Sequence, residues 1–157
     1  MRNYRILPTV LVICLFSMCA VAQKSSGSTA AASAVAMSSK TFTEYKGVGL
    51  GVMAVDVRTK LGTPKEKGET LDFFIFSDNE SAQIYYDATH KVSAVMVTFT
   101  GDVSKAPTAK DVFGEDVAPN AAGTIFKMER YPKAGYWISY TRTSGSDAMV
   151  NIAMQKM

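Results

Sequence analysis

Hydrophobic and polar residues alternate with a period of two along three consecutive stretches in the middle of the chain. These stretches run from Leu71 to Phe76, from Ala82 to Asp87 and from Val92 to Thr100. A period of two is typical of a β-strand whose two faces meet different surroundings. The polar links SDNE and ATHK are so short that they predict antiparallel neighbours. This part of the chain is therefore predicted to form a three-stranded meander.

A helix is predicted in front of the meander, within VMAVDVRTKLGTP. Val52, Val55 and Leu61 form a partial helical stripe, and Gly62 followed by Pro64 is a stop signal. The same plan then recurs, with a short helix from Thr108 to Phe113 followed by strands at Thr124–Arg130, Ala134–Arg142 and Ala148–Met154.

The recurrence predicts an α+β fold built as a tandem repeat. Setting Gly62 over Gly114 aligns the two halves without a gap through their first two strands. We expect two helix-plus-three-strand repeats, at about residues 45–104 and 105–157. They would form one antiparallel sheet with helices packed on one face.

The first residues have the pattern of a signal peptide. Arg2 and Arg5 precede an apolar run from Ile6 to Ala20, and Ala20-Val21-Ala22 is a small-x-small cleavage pattern. We expect residues 1–22 to be removed after Ala22, residues 23–44 to be a disordered Ser/Ala-rich leader and residues 45–157 to be one domain. The predicted location is periplasmic or secreted.

Both cysteines, Cys14 and Cys19, lie in the segment that we expect to be removed. A chain cleaved after Ala22 has no thiols, which excludes disulfides and thiol catalysis. The alternative is lipidation of Cys19, although Met18 is bulky where a lipobox has Gly or Ala. Only that alternative predicts a membrane partner, because the lipid would tether the protein to a membrane face.

Charge and titratable residues exclude several function classes. The net charge of +3 includes Arg2 and Arg5, so the mature chain is almost neutral and offers no basic stripe for nucleic acid. The single histidine, His90, falls in a predicted turn, and the carboxylates are scattered through turns and strand ends. The methionines lie on separate elements and are interpreted as packing residues. We therefore predict no catalytic site, no metal site and no cofactor.

The stretch GVMAVDVRTKLGTP, followed by FFIF, IYYD and KVSAVMV, resembles the SmpA/OmlA type of small envelope proteins. Met53 stands where that family has Ser or Thr. A duplicated unit of this kind resembles the β-lactamase-inhibitor-protein-like (BLIP-like) fold. This resemblance implies a periplasmic or secreted protein that binds another macromolecule, and it supplies no residues for lactamase inhibition. The matching residues are Gly51, Val55, Leu61, Gly62 and Pro64 in the helix part and Lys91-Val92 at the closing strand.

Strand phase divides the sheet residues into two predicted faces. One parity is predicted to be buried under the helices and contains Phe74, Phe76, Tyr86, Val95, Val97, Phe99, Phe126, Met128, Ile138, Val150 and Ile152. The other parity is unusually apolar for a solvated face, and we interpret it as a protein-binding surface centred on Tyr85 and Trp137. Its predicted binding residues are Phe73, Ile75, Tyr85, Met96, Trp137 and Met149, with Thr98, Lys127, Glu129 and Asn151 around them.

The functional hypothesis is a non-catalytic, exported module that binds a protein or another macromolecule of the cell envelope. Three alternatives stay open. In the first, the leader or a second copy of the domain covers the apolar face. In the second, the protein is a small hydrolase or ligand carrier with a pocket between helices and sheet. In the third, it is an envelope scaffold lipoprotein anchored through Cys19. A deep pocket with converging polar groups would favour the second alternative.

Overall fold

The structure is a computed structural model that describes residues 42–157. The predicted signal peptide with its cleavage point at Ala22, both cysteines and residues 23–41 of the predicted leader lie outside the described residues.

In chain order the elements are β1 (Glu44–Tyr45), β2 (Val48–Gly49), α1 (Ala54–Leu61), β3 (Glu66–Lys67), β4 (Leu71–Ser77), β5 (Glu80–Tyr86), β6 (Val92–Thr100), a 3-10 helix (Val103–Lys105), α2 (Ala109–Phe113), β7 (Ile125–Tyr131), β8 (Tyr136–Arg142) and β9 (Met149–Lys156).

Seven of the described strands form one antiparallel sheet in the order β3-β4-β5-β6-β9-β8-β7, and β1 and β2 form a separate hairpin. The strands β6 and β9 are distant in sequence but pair at the centre of the sheet. Their register runs from Ala94 opposite Gln155 to Thr100 opposite Met149. This central pairing makes one continuous sheet out of β3–β6 and β7–β9.

The predicted fold class, α+β with two helix-plus-three-strand repeats, is wrong. Of the described residues, 46% are in strands and 14% are helical, so the domain is mostly β. The strand β3 and the β1–β2 hairpin have no place in the predicted repeats. The helices are also too small, because α1 has eight residues and α2 has five. Two helices of that length cannot form a layer over a sheet of this width.

Both helices end at a glycine with a positive φ. Gly62 follows α1 with φ 87° and ψ −156°, and Gly114 follows α2 with φ 79° and ψ 0°. Glycine adopts such conformations without the steric cost that a Cβ brings. Each helix stops at its glycine, and Ala54 and Val57 are the residues that α1 buries. Val55, predicted on the apolar stripe of α1, is 64% exposed.

Irregular segments complete the layer above the sheet. The β1–β2 hairpin buries Tyr45 and Val48, and the segment before α2 buries Val103 and Ala106. The backbone N–H of Phe42 donates to the carbonyl of Val112, so the described chain begins beside α2. The sheet face under this layer is called the helix-side face, and its buried residues include Phe74, Ala82, Ile84, Tyr86, Val95, Val97, Phe99, Ile138, Tyr140, Val150, Ile152 and Met154.

The phase predicted for β7 is wrong. Phe126 and Met128, predicted to be buried, are 60% and 47% exposed. Lys127 and Glu129, predicted on the other face, pair with buried residues of β8 and lie on the helix-side face. A shift of one residue moves every side chain of a strand to the opposite face. The gapless alignment of the two predicted halves introduced that shift.

Candidate binding site on the open sheet face

The sheet face opposite to the helix-side face is called the open face, and its residues lie in rows across the strands. From β4 to β7, one row contains Leu71, Tyr85, Ala94, Gln155, Trp137 and Arg130. The next row contains Phe73, Gln83, Met96, Ala153, Ser139 and Met128. A third row contains Ile75, Ser81, Thr98, Asn151, Thr141 and Phe126.

Tyr85 and Trp137 are the walls of a groove in the first of these rows. They lie three strands apart, which corresponds to about 14 Å between their backbones. Ala94 and Gln155 lie between them in this row, and Ala153 lies beside Gln155 in the adjoining row. The two alanines are small, so the surface is low where the two rings stand high. The resulting cavity has a volume of about 310 Å³ and is lined by Tyr85, Ser93, Ala94, Val95, Met96, Trp137, Ala153 and Gln155.

Neutral polar groups accompany these apolar walls. The Tyr85 hydroxyl donates to Gln83 Oε1 at 2.7 Å, which fixes the direction of the phenol ring along β5. Further along the face, the Asn151 amide donates to the Thr98 hydroxyl at 3.0 Å. Hydroxyls and amides of this kind orient a partner without adding a formal charge.

Charged residues of the described sheet strands lie on the open face only at the two outer strands, Glu66 on β3 and Arg130 on β7. The predicted charged rim of Lys127 and Glu129 is therefore wrong. The Lys127 ammonium contacts Glu115 and lies 4.7 Å from the ring centroid of Phe113, on the side of α2. A neutral centre bordered by outer charges is the usual anatomy of a protein interface.

All six predicted binding residues have the open-face parity in the strand register. Tyr85, Met96 and Trp137 come together at the groove. Phe73 lies in the adjoining row, whereas Ile75 and Met149 lie towards the opposite end of the face. Ile75 is 53% exposed there.

Sequence reasoning missed the floor of the groove and the outer apolar residues. Ala94, Ala153 and Gln155 have the same strand parity as the predicted residues. Their small or polar side chains were the signal in the sequence that could have identified them as the floor between the larger rings. Phe126 and Met128 were missed because the phase of β7 was misassigned.

A buried carboxylate, Asp72, lies on the helix-side face. It accepts hydrogen bonds from Arg58 Nε at 2.8 Å, Arg58 Nη2 at 3.1 Å, the Tyr86 hydroxyl at 2.8 Å and the Gly68 amide at 3.1 Å. Burial by itself raises the pKa of Asp72, but these hydrogen bonds lower it below its ordinary value. The carboxylate is therefore ionised and saturated with donors, which is a structural arrangement and not that of a general base.

The space between the helices and the sheet is filled by side chains. Val57 and Val112 from the helices are fully buried together with Ile84, Val97 and Ile152 from the sheet. Beside the β1–β2 hairpin the same layer has an open cavity of about 460 Å³, lined by Thr43, Gly49, Leu50, Ala134, Gly135, Tyr136, Met154, Lys156 and Met157. Its lining contains no histidine or carboxylate side chain that could act as a general base, so it does not favour the predicted alternative of a hydrolase. Beside α1 there is an open cavity of about 300 Å³, lined by Arg58, Lys67, Gly68, Glu69 and His90.

Within residues 42–157, no helix has the length and apolar character needed to span a membrane. No group of three or more His, Cys, Asp or Glu side chains in that range could hold a metal ion. Comparison with protein-family models, curated proteins and solved structures finds no match to this chain. The resemblance to SmpA/OmlA-type and BLIP-like proteins therefore stays a prediction.

Proposed function

We propose that this protein is an exported binding module that recognises another protein through its open face, with Tyr85 and Trp137 as anchors. The observation that carries the proposal is the groove of about 310 Å³ between these two rings, on a face whose formal charges are confined to the outer strands. Aromatic residues beside a small-residue floor are the kind of site at which binding energy concentrates.

The dimensions of the open face favour a macromolecular partner. Six strands spaced about 4.8 Å apart, each about seven residues long, span roughly 24 Å by 20 Å. That is the scale of a protein interface, to which each partner contributes about 800 Å² of accessible surface. The groove is at the lower end of the volume of small-molecule sites, which begins at about 300 Å³. It therefore suits one large side chain of a partner better than an enclosed ligand.

The charge distribution defines the chemistry of the partner. A charged group on the partner would be desolvated at the centre of this face without an opposite charge, which costs free energy. Apolar and aromatic side chains accompanied by neutral hydrogen-bonding groups meet no such penalty. We therefore expect a neutral, apolar protein surface with one protruding aromatic or aliphatic side chain.

Export is the part of the proposal that depends on residues 1–22. The small-x-small pattern ending at Ala22 supports a periplasmic or secreted location. The alternative of a scaffold lipoprotein depends on Cys19, and it changes the site of attachment without changing the recognition surface.

Trp137 is the only tryptophan of the chain, so its fluorescence reports directly on the groove. A partner would be captured from envelope extract with the wild type, identified and purified. It is then titrated against the wild type and the double variant Tyr85→Ala, Trp137→Ala by calorimetry. We expect a shift of Trp137 emission in the wild type on binding. For the double variant we expect affinity at least about thirty-fold weaker, as for loss of one anchor worth about 2 kcal/mol.

The matched control is Val55→Ala, which removes an exposed apolar side chain from α1 on the other side of the domain. It should bind as the wild type does. Equal affinities of the wild type and the double variant would disprove the proposed site. So would a captured ligand that is a carbohydrate or lipid with no protein present.

A further inference from the structure

The two outer strands of the sheet differ greatly in length. β3 has two residues, Glu66 and Lys67, both exposed and charged. β7 has seven residues, and among the strands of residues 42–157 it pairs only with β8, because the strand order ends at β7. Short, charged outer strands resist further pairing, whereas a long outer strand presents a row of backbone groups that can pair with another chain. Of the two outer strands in the described part of the chain, β7 is therefore the better suited to pair with an additional strand.

We propose that β7 pairs antiparallel with β7 of a second copy of this chain, about a two-fold axis at Met128. The proposal concerns the sheet edge and does not rest on the proposed function. It rests on the self-complementary order of residues in IFKMERY, the sequence of β7.

The register follows from the geometry of two-fold antiparallel pairing. Opposed side chains must lie on the same face of a continuous sheet, so the axis must pass beside one residue of β7. An axis at Lys127 would oppose Lys127 to itself, and an axis at Glu129 would oppose Glu129 to itself. Like charges directly opposite each other are destabilising. An axis at Met128 avoids both and pairs all seven residues.

This register brings opposite charges together on the helix-side face. Lys127 of each copy lies opposite Glu129 of the other copy, which gives two cross-strand ion pairs. Within one chain the Lys127 ammonium already lies 3.2 Å from the Glu129 carboxylate, so both groups are held on this face. Cross-strand pairs of opposite charge contribute about 0.2–1 kcal/mol each. At each end of the pairing, Ile125 lies opposite Tyr131 of the other copy on the same face.

On the open face, the same register covers exposed apolar groups. Phe126, 60% exposed, lies opposite Arg130 of the other copy, where a guanidinium can stack on the ring. Met128, 47% exposed, lies opposite its own counterpart. The dimer would thus place the two open faces side by side in one extended sheet.

Charge reversal tests the pairing. The protein is expressed from its complete sequence, purified as the host processes it, and examined by sedimentation velocity. We expect wild-type dimers, with dimerisation weakened about thirty-fold in Lys127→Glu and in Glu129→Lys, because each variant turns two attractive pairs into repulsive ones. Mixing the two variants should restore association, since opposite charges then face each other at both cross-strand positions. The variant Lys67→Glu on β3 is the matched control and should dimerise normally.

A cysteine tests the register itself. Directly opposed residues of antiparallel strands have Cβ atoms about 4.5–5.5 Å apart, close enough for a disulfide after small adjustment. Met128→Cys should therefore form a covalent dimer on mild oxidation, whereas Ile75→Cys, at a position of similar exposure on β4, should not. Both are made with Cys14→Ser and Cys19→Ser. A wild type that is monomeric at every concentration, or a mixture of charge variants that stays monomeric while both are folded by circular dichroism, would overturn the proposal.

Discussion

The guanidinium of Arg58 donates two hydrogen bonds to the carboxylate of Asp72, at 2.8 and 3.1 Å. This pair joins α1 to β4. The Asp72 side chain is fully buried, whereas that of Arg58 is 28% exposed. Because α1 has only eight residues, this contact and the burial of Ala54 and Val57 hold the helix against the sheet.

Replacing Arg58 by Ala should destabilise the domain by about 3 kcal/mol, because it leaves a buried carboxylate without its cation. The free energy of unfolding is measured by urea titration at pH 7. Lys60→Ala, an exposed position on the same helix, is the control and should change it by less than about 0.5 kcal/mol. Equal effects of the two substitutions would contradict the role assigned to Asp72.

Acid should destabilise the wild type through Asp72. Burial raises the pKa of Asp72, but the hydrogen bonds from Arg58, Tyr86 and the Gly68 amide outweigh it and lower the pKa. The folded state then binds the proton less readily than the unfolded state, whose Asp pKa is about 3.9. The stabilisation is present above that pH and is lost as the pH falls through the folded pKa.

The variant Arg58→Ala separates this effect from other carboxylates. Its Asp72 is buried without a cation, so protonation should relieve the cost of the buried charge instead of removing an attraction. The variant's Asp72 should then take up its proton at a higher pH than an unfolded Asp, so we expect the difference in free energy of unfolding between wild type and variant to shrink progressively as the pH falls from about 7 to about 3. A difference that stays constant from pH 7 to about pH 3 would show that Asp72 does not titrate in this way.

Two isoleucines give a matched test of the two sheet faces. Ile152 is fully buried on the helix-side face, and Ile75 is 53% exposed on the open face. Ile152→Ala should cost about 3 kcal/mol through lost burial and the cavity that it leaves. Ile75→Ala should cost less than about 1 kcal/mol. Thermal and urea unfolding measure both, and similar costs would mean that the faces are assigned wrongly.

Gly62 tests a backbone conformation without a packing change. Its φ of 87° and ψ of −156° belong to a region occupied almost only by glycine, and a Cβ placed there would meet no atom within 4 Å. Gly62→Ala should therefore destabilise by about 1–2 kcal/mol through backbone strain alone. An unchanged free energy of unfolding would contradict this origin.

Processing of the N-terminus is tested by intact mass. Expression of the complete chain in a bacterial host should yield a protein that begins at Gln23, because Ala20 and Ala22 are the small residues that a signal peptidase requires. Ala22→Leu should block that cleavage, and Cys19→Ser should not affect it. A mass that includes a lipid on Cys19 would instead support the lipoprotein alternative.

The strands of the open face could be predicted because the residues that alternate along each of them differ in hydrophobicity between the two faces. Tyr85 and Tyr86 illustrate this, since adjacent tyrosines of β5 point to opposite faces. Tyr86 is 5% exposed and donates to Asp72, whereas Tyr85 lines the groove. Alternation around such pairs is visible in the sequence.

The fold class could not be predicted in the same way. The strand β3 lies in the polar stretch KEKGET, and its pairing with β4 depends on backbone groups that every residue carries. The hairpin from Glu44 to Gly49 supplies core residues although its glycines indicate only a turn. These contributions from irregular chain replaced the helical layer that the sequence pattern favoured.

The sequence alone determined where Tyr85 and Trp137 fall in strand phase, because apolar and polar positions near each alternate with a period of two. It did not determine the phase of β7, because both parities of this strand mix apolar and charged groups. One parity contains Ile125, Lys127, Glu129 and Tyr131, and the other contains Phe126, Met128 and Arg130. Only pairing with β8 decided it, since a strand at the sheet edge is oriented by the hydrogen-bond register of its single neighbour and receives little direction from burial.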